Sequence, residues 1–89
     1  MEDMKELIRI FTEIDSEEEM SALFKEIFTT KEQYDLVLRW KLMKDLYHAI
    51  PQREIAHNLG ISLCKITRGS KILKQENSIC RSLIEQLET

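Results

Sequence analysis

A chain of 89 residues is enough for one small domain, and its 43% hydrophobic and 33% charged residues are the balance of an ordinary globular protein. Only two Gly and one Pro call for long helices and few turns, and no run approaches ~20 uncharged apolar residues, which excludes a membrane-spanning helix. Residues 1–6 lack the basic, apolar, small-residue order of a secretion signal, so a cytoplasmic address with both cysteines, Cys64 and Cys80, reduced is expected.

Met4, Leu7, Ile8, Phe11 and Ile14 recur at helical spacing and predict a first helix over residues 2–14 whose only apolar face needs something to lie against. Asp15-Ser16 breaks it, and Ser16 with Glu19 makes a capping box for a second helix carrying Met20, Leu23, Phe24, Ile27 and Phe28. Thr29-Thr30 stops that helix. Thr29 with Glu32, or Thr30 with Gln33, caps a third over about 31–47. Its apolar residues, among them Val37, Leu38, Trp40, Leu42 and Met43, occupy nearly every side, so it is expected to be buried almost all round. A chain this short has little core to spare, and one of the covering surfaces is expected from a second copy. Arg39 interrupts the third helix. It either pairs with Asp35 one turn earlier or offers a guanidinium to an anion in a pocket.

Pro51 suits the first position of a fourth helix with Ile55, Ala56 and Leu59 on one side, and Gly60 can end it in the left-handed conformation. Ser62 caps a fifth helix with Leu63, Ile66, Ser70 and Leu73 on one side and Cys64, Lys65, Thr67, Arg68 and Lys71 largely elsewhere. Two short helices, a tight glycine turn and a basic outer face predict a helix-turn-helix over residues 51–74. Gln75 to Ser78 form a turn, and Ile79, Leu83, Ile84 and Leu87 mark a sixth helix of about three turns. No strand is expected.

The net charge of −3 conceals a division. Residues 1–36 hold eleven acids and four bases, whereas residues 51–74 hold Arg53, Lys65, Arg68, Lys71 and Lys74 against Glu54 alone. Cations gathered on one motif of an acidic chain are the footprint of a surface that meets phosphates. The first turn of the fifth helix supplies Leu63, Cys64, Lys65 and Thr67 as candidates for base edges or bridging waters. Gln52 and Arg53 are placed for the groove rim or a guanine, and Lys71 and Lys74 for phosphates. Catalysis has little support: there is no nucleophile and base in a plausible setting, no glycine-rich phosphate loop, and His57 stands without a nucleophile. The cysteines and histidines are too few and wrongly spaced for zinc, so no enzyme, metal or cofactor is expected.

Ile66-Thr67-Arg68-Gly69-Ser70, preceded by Gln52-Arg53-Glu54 and Leu59-Gly60, resembles the tryptophan repressor family of bacteria, a family that is itself a standard instance of helix-turn-helix docking and water-mediated base contact. The similarity is specific over residues 51–74 and extends more weakly from about 23 to 88. It implies an all-α, six-helix intertwined homodimer, a single domain over residues 1–89, that binds L-tryptophan as corepressor. The dimer would then bind double-stranded operator DNA of tryptophan biosynthesis or transport genes. By position, Arg39 and Arg68 match the two arginines that sandwich the indole and hold its carboxylate, Thr29 a threonine of the same pocket, and Gly69 a glycine that lets the indole approach. Gln52, Arg53, Cys64, Lys65 and Thr67 fall at DNA-facing positions. Three features depart from the family. Ile72 stands where members have a serine that helps hold the ligand's amino group, which leaves carbonyls near residues 26–28 to serve alone. The connector before Gln52 is one residue shorter. Cys64 and Lys65 replace small residues at the tip. The alternatives are a helical dimeric protein-interaction module and a repressor with altered or no tryptophan dependence.

Overall fold

The computed structural model describes all 89 residues, in six helices and no strand. They are α1 (Glu2–Glu13), α2 (Glu17–Ile27), α3 (Thr30–Tyr47), α4 (Gln52–Leu59), α5 (Leu63–Lys74) and α6 (Ile79–Leu87). Two compact units form, Met1–Asp35 and Leu36–Thr89, with α3 running through the junction.

In the first unit the aromatic residues join the α1–α2 hairpin. The Phe11 and Phe24 rings lie 5.8 Å apart and Phe24 and Phe28 5.1 Å, tilted pairs of a kind that add about 0.5–1.5 kcal/mol each beyond the area they bury. Ser16 accepts from the Glu19 N–H at 3.2 Å, which satisfies one free donor of α2. At α3 it is Thr29 that completes a reciprocal box: its hydroxyl accepts from the Glu32 N–H at 3.1 Å, and its own N–H donates to the Glu32 carboxylate at 2.9 Å. No residue of α1 or α2 is buried, and Met4 and Ile8 remain 54% exposed.

The second unit is built on two small clusters. Leu42, Ile55 and Ile66 form one, with Leu46, Ile50, Ala56, Leu59 and Ile61 against it. Met43, Leu73 and Ile84 form the other, with Trp40, Leu46, Tyr47, Ile72 and Cys80 around them. Leu42 and Met43 are neighbours on α3, so this one helix turns one flank toward the α4–α5 pair and the other toward α5 and α6. Within a single chain α3 is not covered all round: Tyr34 is 61% and Val37 54% exposed, and only Leu42 and Met43 are buried.

The corner between α3 and α4 ends in a Schellman motif. The Ala49 N–H donates to the Leu46 carbonyl and the Ile50 N–H to the Asp45 carbonyl, each at 3.0 Å, which ties off two of the last free carbonyls of α3. Closing it requires φ 59° at Ala49, where a Cβ crowds its own carbonyl. Ala49→Gly is therefore expected to raise stability by about 1 kcal/mol, seen as a higher midpoint in urea with an unchanged slope. Pro51 is the N-cap of α4 and not its first helical residue: its ψ of 138° is extended, and its carbonyl accepts from the Ile55 N–H at 3.1 Å. Gly60 ends α4 at φ 62° and ψ 37°, with open space where a Cβ would stand, so glycine is required there by the backbone angle alone.

Candidate nucleic-acid interface and ligand-binding residues

α5 has an inside and an outside that differ in kind. Ile66, Gly69 and Leu73 are buried, at the three- and four-residue steps that make one helical stripe. At ~100° per residue, Cys64, Thr67, Arg68 and Lys71 fall on the opposite side, and all four are exposed. Gly69 is what allows the inner side to sit so close to α3. A Cβ built on it would lie 3.0 Å from Leu46 Cδ1, 3.1 Å from Met43 Sδ and 3.6 Å from Leu42 Cδ2. The helix axis is thus held near α3 by packing, and the cations are held outward as a consequence.

Leu63 departs from the expected core face. It is 52% exposed and belongs to neither cluster. The buried stripe of α5 begins at Ile66, and Leu63 stands one turn before it, about 60° round the helix. The Ser62 hydroxyl caps that turn, accepting from the Lys65 N–H at 3.4 Å.

Gln52, Arg53, Cys64, Lys65, Thr67, Lys71 and Lys74 are all exposed, the first two in the opening turn of α4 and the rest along α5. The chain forms only two ion pairs, Lys31–Asp35 at 3.0 Å and His48–Glu88 at 2.5 Å. Arg53, Lys65, Arg68, Lys71 and Lys74 consequently carry five positive charges with no carboxylate on any of them. Such a surface attracts anions over roughly a Debye length, about 8 Å at physiological salt.

The residues expected at a small ligand are distributed between the units. Arg39 and Arg68 are exposed and make no hydrogen bond or ion pair, and the Asp35 carboxylate is taken by Lys31. Ile72 is half-buried against the Met43–Leu73–Ile84 cluster. Thr29 lies in the first unit, where its hydroxyl oxygen accepts the bond that caps α3, leaving its proton and one lone pair. The Phe28 carbonyl, within the stretch expected to face an amino group, accepts from Gln33 Nε2 at 2.9 Å. An open cavity of about 270 Å³ is lined by Leu46, Tyr47, Ser70, Leu73, Lys74 and Arg81, and none of the five expected ligand residues is among them.

Arg81 is a residue with a role that the sequence alone did not reveal. Its Nη1 donates to the Leu73 carbonyl at 2.6 Å and its Nη2 to the Glu76 carbonyl at 2.8 Å, so it closes the carboxyl end of α5 and ties it to α6. Its position three residues after the Ser78 cap was the only available signal. The His48–Glu88 pair likewise joins residues forty apart, which no local pattern announces. No three His, Cys, Asp or Glu side chains gather as a metal site, and no helix is long and apolar enough to cross a membrane.

The chain is similar to a protein of Xylella fastidiosa (strain M23) named Trp operon repressor homolog, 38% identical over 72 residues, which covers 80% of this chain and 78% of the relative. A Chlamydia trachomatis protein (serovar D) of the same name is 31% identical over 68 residues, 75% of this chain and 72% of its own. No solved structure gives a significant match. The family model described as Trp repressor protein matches residues 2–88, nearly end to end and across both units. With six helices, an outward cationic face on the fifth and that match over almost its whole length, the chain belongs to the Trp repressor family.

Proposed function

We propose that this protein is a tryptophan-dependent transcriptional repressor, a homodimer that binds L-tryptophan and then the operator DNA of tryptophan biosynthesis or transport genes. The family is one of transcription regulators, and the relatives' names point to the trp operon. The observation that carries the DNA assignment is the solvent side of α5, where Arg68 and Lys71 project outward with Lys65 and Lys74 on the two flanks, all exposed and unpaired, while the inner face is fixed by Ile66, Gly69 and Leu73. In this reading α4 and α5 are the helix-turn-helix. α5 enters the major groove with Cys64, Lys65 and Thr67 toward bases, Gln52 and Arg53 reach the groove rim, and Lys71 and Lys74 hold phosphates. The dimer is supported by apolar side chains left in the open on a single chain, notably Val37 on α3 and Ile79 and Leu87 on α6. Its two-fold axis would set the reading helices about 34 Å apart, the separation of successive major grooves in general.

Arg39 and Arg68 are assigned to the tryptophan carboxylate and indole, and Thr29, Gly69 and Ile72 to the same ligand by the resemblance. A ligand that prefers the spacing required by DNA shifts the population toward it in proportion to that preference. Ile72, half-buried against the second cluster, brings no hydroxyl to an amino group, which favours a second reading, a repressor that answers to another indole or to none. Gel-shift titration of an operator-type duplex separates the possibilities. A shift strengthened by L-tryptophan supports the first reading and a shift indifferent to it the second, whereas no shift at all would leave a protein-interaction module. Lys71→Ala is expected to weaken specific and nonspecific duplexes alike and to lower the slope of log K against log salt by about one. An unchanged slope would remove Lys71 from the phosphate contacts.

A further inference from the structure

The first turn of α5 carries two side chains placed against their own preferences. Leu63 is the only large apolar residue of α4 and α5 that is more exposed than buried, although α5 contributes a buried residue to each core cluster. Lys65, two residues on, puts a cation at the positive end of the helix dipole, and this first turn contains no acid to offset it. The contrast with α6 is informative. Arg81 occupies the same third position there, but its guanidinium is satisfied by the Leu73 and Glu76 carbonyls. Lys65 has no acceptor in the chain: its N–H is capped by Ser62, and its ammonium stands free. Both side chains gain only from something outside the protein that offers an apolar group and an acceptor close together.

The major groove offers that pair. The C5-methyl of thymine is its one apolar feature, and guanine O6 and N7 are its acceptor-only edge. We propose that the tip of α5 reads sequence directly, with Leu63 packed on a thymine methyl and Lys65 donating to guanine O6 and N7. At ~100° per residue the two side chains project to opposite flanks of Cys64. The thymine and the guanine therefore belong to base pairs on either side of the one that Cys64 faces. Leu63 and Lys65 are specificity-determining residues in this assignment, which rests on the DNA-binding function proposed above.

The test uses the full chain with L-tryptophan. Duplexes enriched from a randomised pool are remade with single thymine-to-uracil and guanine-to-7-deazaguanine replacements and titrated against the parent protein, Leu63→Ala and Lys65→Ala. One uracil position per half-site is expected to weaken the parent about fourfold, the loss of one buried methyl, and to leave Leu63→Ala unaffected. One 7-deazaguanine position is expected to weaken the parent about tenfold and to leave Lys65→Ala unaffected. Both side chains are exposed, so melting curves of the variants should match the parent and exclude misfolding as the cause. Enriched duplexes that tolerate both base changes, or that lose equal affinity with parent and variants, overturn the direct readout and leave the repressor reading intact. A pool with no enriched sequence overturns both.

Discussion

Ile66→Ala is expected to lower stability by about 2–5 kcal/mol. Ile66 has no exposed surface, and its side chain joins Leu42 of α3 to Ile55 of α4. Removing it empties the place where three helices meet, in a unit whose core contains only two such clusters. Domains of this size lose roughly 4–8 °C of melting temperature per kcal/mol, so a fall of about 10–30 °C in the circular-dichroism midpoint is expected. Duplex binding should fall with it at temperatures where the parent is still folded, because α5 is oriented by the same contact. A midpoint within about 3 °C of the parent would mean that the α4–α5 pair is not held by this cluster.

Arg68→Ala is expected to weaken both tryptophan and operator binding without unfolding the chain. The side chain is exposed and makes no hydrogen bond or ion pair, so nothing in the fold depends on it. A guanidinium paired with a carboxylate contributes about 1.5–3 kcal/mol, which corresponds to a loss of about ten- to hundredfold in tryptophan affinity. Linkage carries part of that loss to DNA, since a corepressor that binds less well shifts the population less. Isothermal calorimetry with L-tryptophan measures the first effect and gel shifts at fixed tryptophan the second. Unchanged calorimetric affinity would remove Arg68 from the ligand site.

The order and extent of the helices were legible because five of the six are bounded by a local cap or stop signal. Ser16, Thr29, Ser62 and Ser78 cap four of them, and Gly60 closes a fifth in the left-handed region. The cationic face was equally legible, as a charge count confined to residues 51–74. What escaped depends on distance along the chain or on a single angle. Leu63 lies three residues before Ile66 but about 60° round the helix from it, at the flank of the buried stripe, and joins neither cluster. Ala49 takes an angle that its side chain does not advertise. Arg39 was open to pairing with Asp35, but Asp35 pairs with Lys31 at 3.0 Å and Arg39 pairs with no carboxylate. Gly69, which resemblance assigns to the approach of a ligand, also brings α5 against Leu46 and Met43, a contact that no local pattern announces.

That last contact bears on how any guest could enter beside residue 69. A single added carbon on residue 69 would already crowd the side-chain tips of α3, so no room is open at that point of the seam. A molecule that wedges into it must first lever the fifth helix away from the third, and its observed affinity is diminished by the fraction of time the seam stands shut. Any such leverage would also re-aim Arg68 and Lys71, which project from the opposite side of the same helix.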